Sequence, residues 1–145
     1  MAHNKKFGEF FTAVSAVPAQ AVTSTALAAS SVNATGYDRA TFIFEVGNHS
    51  STTAHLASGS LLWKAATSGA TYYAITGASF GAHISGVTGS SMANYIIDID
   101  VDQSYPWLWV SAQNSNTEAY YSVTCLLRTP GDMPPDSLSG QIVYV

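Results

Sequence analysis

From Thr25 onward, short apolar runs alternate with turn-forming residues along the chain. The clearest run lies between residues 95 and 101, where a period of two separates two faces: Tyr95, Ile97, Ile99 and Val101 on one, Ile96, Asp98 and Asp100 on the other. A period of two is typical of a β-strand, because successive side chains project to opposite sides of a sheet. This segment is therefore predicted to be a strand.

Seven further runs have strand character and are bounded by Gly, Ser, Asn or Asp. The predicted strands cover residues 26–32, 40–46, 61–63, 71–76, 83–87, 95–101, 107–112 and 119–127. Roughly eight short strands at this spacing are typical of sandwiches and barrels. Helical periodicity is nearly absent. The sequence therefore predicts an all-β fold, an antiparallel β-sandwich of jelly-roll type over residues 25–128.

Both ends of the chain differ in composition from this central domain. Residues 1–24 are rich in alanine, contain Pro18, and have aromatic anchors at Phe7, Phe10 and Phe11. They are predicted to form an N-terminal arm, either as a short helix or as an extended segment. The aromatic residues would give that arm its contacts with a neighbouring chain.

Residues 129–145 are predicted to form a C-terminal arm that carries a terminal strand. Pro130, Pro134 and Pro135 cannot donate ladder hydrogen bonds and so cannot continue a central strand. The apolar segment after them contains the predicted contact residues Ile142, Val143 and Tyr144. Such a segment needs a sheet edge, which either a neighbouring chain or its own sheet supplies.

Composition indicates that much of the surface is covered. Hydrophobic residues make up 47% of the 145 residues and charged residues 10%, against about 25% charged in an average soluble domain. Charge depletion is typical of interface cores, although a low-charge secreted domain would also have it. We therefore expect a homo-oligomer and predict that it is a trimer.

Charge and hydropathy also argue against two kinds of partner. The net charge is −4 with five Lys and Arg residues, which does not fit a surface that follows nucleic-acid phosphates. No run approaches the roughly 20 apolar residues that a membrane-spanning helix needs. The predicted partners are therefore proteins, with no nucleic acid and no membrane.

The series Asp98, Asp100 and Asp102 is the one constellation that suggests a cation site, because a calcium loop begins in this way. Such a loop also needs a glycine for its turn and a distal glutamate, and neither follows here. The interleaved Ile99 and Val101 instead place the carboxylates along a strand. A solvated or partner-facing strand surface is the favoured interpretation, and no metal is predicted.

Other candidate chemistry is sparse. The histidines His49, His55 and His83 lack zinc-ligand spacing, and Cys125 is expected to be a buried, inert thiol. No nucleophile elbow or phosphate-binding glycine loop occurs. We therefore predict no catalytic residue, no cofactor and no enzymatic activity. Trp107 and Trp109 share one strand face. The aromatic candidates for a protein interface or a sugar-stacking platform are Trp63, Tyr72, Tyr73, Tyr105, Trp107, Trp109, Tyr120 and Tyr121.

Several segments together resemble the small β-structured decoration, or cement, proteins of tailed-bacteriophage heads. The resemblance covers residues 25–127: a Ser/Thr/Ala-rich first strand, an aromatic strand after Gly36-Tyr37-Asp38, and a chargeless Gly/Ser-rich middle from Ala65 to Ile97. It continues with the Tyr95 to Asp100 strand running into Trp107-Leu108-Trp109-Val110-Ser111. No single motif carries it.

The resemblance implies a structural virion protein made in the host cytoplasm and located on the outer capsid surface. Proteins of this kind bridge subunits of the major capsid protein, often as trimers, and are not enzymes. The alternative is a carbohydrate- or receptor-binding β-sandwich domain of a phage fibre or a secreted protein. That alternative predicts an exposed, co-planar pair of aromatic rings in a groove.

Overall fold

The computed structural model describes residues 11–22, 29–49, 61–79, 93–111, 119–128 and 141–144. Every regular element within these ranges is a β-strand. The strands are β1 (Phe11–Val22), β2 (Val32–Asn33), β3 (Arg39–His49), β4 (Leu62–Ala65), β5 (Tyr73–Ala74), β6 (Ala93–Asp100), β7 (Trp107–Val110), β8 (Ala119–Arg128) and β9 (Gln141–Tyr144). In these ranges no helix is long and apolar enough to cross a membrane.

The strands form two sheets. One has five strands in the order β1-β8-β3-β6-β9, and the other has four in the order β2-β7-β4-β5. Neighbouring strands are antiparallel except for β6 and β9, which run parallel. The prediction of an all-β fold built from antiparallel sheets is confirmed.

The core lies between the sheets, and period-two alternation determines which residues enter it. In β3, Phe42, Phe44 and Val46 are buried on one side of the strand, as predicted. The remaining predicted faces of the same sheet are also in the core: Tyr95, Ile97 and Ile99 from β6, and Tyr121, Val123, Cys125 and Leu127 from β8. Burying a side chain of this size contributes about 1.5–3 kcal/mol.

The four-stranded sheet contributes the opposite side of this core. Leu62 of β4 and Leu108 and Val110 of β7 belong to the same apolar cluster as Phe42. Trp107 and Trp109 alternate with these core residues along β7 and are only partly buried. The tryptophans therefore lie on the outward side of the sheet, a choice that sequence alone left open.

The N-terminal arm predicted for residues 1–24 requires correction, because residues 11–22 form β1 of the five-stranded sheet. β1 pairs with β8 from Phe11 to Val22, and Ala16 and Val17 are buried in the core. The strand tolerates Pro18 because it lies at the edge of the sheet and has register shifts on both sides of Val17. Neither a helix nor a free arm describes residues 11–22, and residues 1–10, 23 and 24 lie outside the described ranges.

Three other predictions differ from the structure or lie outside it. Of the strand expected at 26–32, the structure describes residues 29–32, and only Val32 belongs to a strand, the two-residue β2. Residues 83–87 are outside the described ranges. β9 pairs with β6 over Tyr95 to Asp98. This pairing within one chain corresponds to the alternative in which the last segment completes its own sheet.

We expect the stability of the fold to fall between about pH 10 and pH 12. Burial raises the pKa of Tyr121 to about 12, whereas an unfolded tyrosine ionises near pH 10. In that interval the folded chain keeps a proton that the unfolded chain releases, so unfolding becomes more favourable as the pH rises. Urea unfolding of wild type and Tyr121→Phe across this range measures the effect, which should be about 2–3 kcal/mol at its upper limit. The same slope in both proteins would contradict the assignment to Tyr121.

Candidate functional site

All three tryptophans of the chain lie on the outward side of the four-stranded sheet, and we call Trp63, Trp107, Trp109 and Tyr72 the tryptophan face. Trp63 of β4 is the register partner of Trp109 of β7. The ring of Tyr72 contacts that of Trp109, with centroids 5.7 Å apart and planes inclined by 51°. The four side chains are partly buried. They form an aromatic surface outside the core.

The local sequence explains this placement. β7 has the sequence Trp-Leu-Trp-Val, and successive side chains of a strand lie on opposite sides of the sheet. Because Leu108 and Val110 lie in the core, both tryptophans lie on the outward side. Ala65, the register partner of Trp107, is fully buried although it is not part of the core cluster. The outward side of this sheet is thus a packed apolar layer and not a set of isolated rings.

A second aromatic group lies at the β5 edge of the same sheet. Tyr73 of β5 is 53% exposed and meets the ring of Tyr105 edge-on, with centroids 5.7 Å apart. The Lys64 Nζ lies 5.2 Å from the centroid of the Tyr105 ring. Tyr73 is the register partner of Lys64, which alternates with Trp63 along β4, so this group lies on the opposite side of the sheet from the tryptophan face.

The ring orientations distinguish between kinds of ligand. A platform for stacking sugars requires exposed rings in one plane, but the Tyr72–Trp109 pair is tilted and the Tyr73–Tyr105 pair is inclined by 78°. Tilted, partly buried Trp and Tyr side chains are typical anchors of protein interfaces. The geometry of these two ring pairs therefore favours a protein partner.

The five-stranded sheet carries an ionic cluster on its outward side. Asp98 of β6 is 4% exposed and alternates with the core residues Ile97 and Ile99. Arg39 Nε donates to Asp98 Oδ2 at 3.1 Å, and Thr41 Oγ1 donates to Asp98 Oδ1 at 2.8 Å. Arg39 Nη1 also donates to Asp100 Oδ1 at 2.7 Å. Arg39 thus joins two carboxylates of the aspartate series.

The third carboxylate of the series has a different cation. Lys64 Nζ donates to Asp102 Oδ2 at 2.8 Å, and the backbone N–H of Ser104 donates to Asp102 Oδ1 at 3.0 Å. The Lys64 hydrogen bond, with that of Ser104, holds the pKa of Asp102 below its usual value. Hydrogen bonding to Asp98 raises the pKa of Arg39 despite partial burial. The three carboxylates neutralise cations of their own chain and do not converge on a common point.

A further buried pair lies at the same end of the sheet. Arg128 of β8 is the register partner of Arg39, and its Nε lies 3.9 Å from Asp38 Oδ1. The Nε and Nη1 of Arg128 and the Oδ1 of Asp38 are buried without a hydrogen-bond partner among the described residues. The three cations that the structure describes, Arg39, Lys64 and Arg128, therefore all face aspartates of the same chain.

The predicted contact residues of the two arms that the structure describes belong to the five-stranded sheet and not to the tryptophan face. Phe7 and Phe10 lie outside the described ranges, and Phe11 begins β1 opposite Arg128. Ile142, Val143 and Tyr144 belong to β9, at the far edge of the five-stranded sheet. Trp63 is one of the eight aromatic candidates named from the sequence. The alternating Trp107-Leu108-Trp109 pattern is the signal for this face, but it does not identify Trp63 as the cross-strand partner.

No protein-family model matches the chain, and no curated protein matches it in sequence. The surfaces described above are therefore the basis for inferring its function. Of these surfaces, the tryptophan face is the candidate for binding. Within the described ranges, no group of three His, Cys, Asp or Glu side chains could hold a metal ion.

Removing Arg39 should destabilise the chain strongly, because Asp98 would be left as a buried carboxylate without its cation. We expect Arg39→Met to lower the free energy of unfolding by about 3 kcal/mol. Lys64→Met breaks the more exposed pair with Asp102 and should lower the free energy of unfolding by less than about 1 kcal/mol. Urea unfolding of the two variants measures these changes. The double variant Arg39→Met/Asp98→Asn should recover part of the loss, and equal effects of Arg39→Met and Lys64→Met would contradict this account.

Calcium should not stabilise the fold. Asp98, Asp100 and Asp102 are held by Arg39 and Lys64, so binding a cation there would require breaking these ion pairs. Thermal unfolding with millimolar Ca²⁺, and separately with a chelator, is expected to give the same midpoint. A midpoint that rises with Ca²⁺ and is restored by the chelator would show that these residues rearrange into a metal site.

Proposed function

We propose that the chain is a structural virion protein that binds the outside of a phage capsid and stabilises it by bridging subunits of the major capsid protein. The observation that carries the proposal is the tryptophan face, an aromatic layer of all three tryptophans on a surface outside the core. Trp and Tyr are enriched among the residues that dominate protein interfaces. This face is the proposed contact with coat subunits.

The pairing of the strands supports a jelly-roll sandwich as the fold. β1 pairs with β8, β2 with β7, β3 with β6 and β4 with β5. This is the order produced when one long hairpin of eight strands is wrapped into two sheets, and β9 is an addition at the edge. Jelly rolls occur in viral capsid and lectin domains, so the proposed fold agrees with both the main proposal and its alternative but decides neither.

Charge distribution supports a protein partner over a polyanion. Arg39, Lys64 and Arg128 are the cations of the described ranges, and each faces an aspartate of its own chain. A phosphate-binding surface needs cations that are available to the ligand. Aromatic and neutral polar groups remain for recognition, as in the core of a stable protein interface. A homotrimer that binds capsid threefold positions would fit this surface, and we propose that arrangement.

The alternative function is binding of a carbohydrate or receptor by a fibre or secreted domain. It is favoured by the number of aromatic side chains on the tryptophan face and by the occurrence of jelly rolls in lectins. The inclined planes of the Tyr72–Trp109 and Tyr73–Tyr105 pairs argue against it, because neither pair offers a flat stacking surface. We therefore rank it second.

The proposal is tested with phage heads that lack this protein, prepared from the virus that encodes it. Purified protein mixed with such heads should sediment with them. Trp109→Ala should weaken that binding at least tenfold, equivalent to about 1.4 kcal/mol. Tyr120→Ala is the matched control, because Tyr120 is 52% exposed but lies on β8 of the other sheet. Thermal midpoints verify that both variants are folded.

Two results would overturn this proposal. Failure of the wild-type chain to sediment with heads, combined with binding to immobilised glycans that Trp109→Ala abolishes, would establish the alternative. Equal loss of head binding in Trp109→Ala and Tyr120→Ala would remove the tryptophan face as the contact surface. Analytical ultracentrifugation of the free chain tests the trimer separately.

A further inference from the structure

The outward side of the four-stranded sheet extends beyond the tryptophan face to both edges of that sheet. Asn33 of β2 is the register partner of Trp107, and Ala74 of β5 is the register partner of Trp63. Register partners of an antiparallel pair lie on the same side of a sheet, so both residues lie beside the tryptophans. Both are exposed. The outward side therefore runs from Asn33 at one edge to Ala74 at the other.

The four strands of this sheet place no charged side chain on that outward side. The outward positions in these strands are Asn33, Trp63, Ala65, Ala74, Trp107 and Trp109. Lys64 is the charged residue of the four strands, and it alternates with Trp63 along β4. Its side chain therefore lies on the other side of the sheet, where it pairs with Asp102.

The remaining charges that the structure describes lie in β3, β6 and β8 or in residues adjoining these strands. They are Asp38, Arg39, Glu45, Asp98, Asp100, Asp102 and Arg128. The sequence from Ala65 to Ile97, which includes β5, contains no Asp, Glu, Lys or Arg. Charge is thus separated from aromatic surface in a chain whose net charge is −4.

A surface of this kind discriminates between partners by their charge. A charged side chain of a partner that is buried against the outward side would lose its hydration and meet no opposite charge among these strand residues. An aliphatic or aromatic side chain would have no such cost. Four strands spaced by roughly 4.8 Å make the outward side about 14 Å wide, the size of the centre of an interface, where charged residues are depleted.

We propose that the outward side of the four-stranded sheet receives an uncharged, apolar patch of the major capsid protein, with Asn33 and Ala74 at the two borders of the contact. This inference rests on the proposed function, because it specifies the surface that a coat subunit presents to the tryptophan face. Selectivity then arises from the exclusion of charged surfaces as well as from apolar attraction.

Charges of both signs at one position test this inference. Ala74→Lys and Ala74→Glu place opposite charges at the same exposed site beside Trp63. Each should weaken binding to phage heads that lack the protein by at least about tenfold, because neither charge meets an opposite one. The measurement is sedimentation with heads at one fixed salt concentration, and thermal midpoints verify that the variants are folded.

Asn33→Asp tests the other border with little change in shape. The Asn33 Oδ1 accepts hydrogen bonds from the backbone N–H and the hydroxyl of Thr35, and a carboxylate oxygen can accept both. This variant should also weaken head binding by about tenfold or more.

Ala13→Lys and Ala13→Glu are the matched controls, because Ala13 is exposed on β1 and pairs with Leu126 of the other sheet. Stacked sheets lie about 10 Å apart, beyond the screening length of about 8 Å at 0.15 M salt. Both controls should therefore bind within about threefold of wild type.

Four results would overturn the inference. Weakening by only one of the two Ala74 charges, with or without strengthening by the other, would show a charged coat surface. Unchanged binding by the Ala74 pair or by Asn33→Asp would show that the contact does not reach that border. Equal weakening by the Ala13 controls would show an effect of net charge. In these three cases wild type still binds heads and the proposed function stands. Failure of wild type to bind heads removes the proposed function and this inference with it.

Discussion

The apolar layer shared by the two sheets is the constraint on which the other features of this chain depend. Phe42 and Phe44 from one sheet and Leu62, Leu108 and Val110 from the other occupy it. Because strands alternate, assigning these residues to the inside determines the outside as well. The tryptophan face and the ionic cluster of Arg39 and Asp98 are both consequences of that assignment. Moving the tryptophans inward would displace Leu108 and Val110 from the core, and moving Asp98 inward would bury a carboxylate in place of Ile97 and Ile99.

The ionic cluster adds specificity that the apolar layer lacks. A shift of two residues between β3 and β6 would keep apolar side chains inside, since both strands have apolar residues at alternate positions. It would separate Asp98 from Thr41, its register partner, and the shift that places Asp98 opposite Ile43 would also move it away from Arg39. A buried carboxylate without its cation is costly. The cluster therefore penalises the wrong register of two strands that the core alone would tolerate.

Long strands with clear alternation could be located from the sequence. Strands with weak local signals, and contacts between residues far apart in the chain, could not. β3, β6 and β8 were located with the correct core faces because Phe, Ile and Val recur at every second position. β1 was mistaken for an arm because alanines and Pro18 conceal a strand that depends on β8 and on bulges. The ion pair of Arg39 with Asp98 joins residues 59 positions apart. No local pattern indicates such a pair, so the aspartates were predicted to be solvated or partner-facing.

The edges of the two sheets show how the chain limits uncontrolled association. Among the described strands, β2 and β5 are edges of two residues each, too short to recruit another strand. β1 is long, but its register shifts and Pro18 interrupt the regular backbone spacing that a new strand would need. β6 would be a long, regular and largely apolar edge if β9 were removed. β9, with four residues, therefore replaces a long and regular edge with a short one.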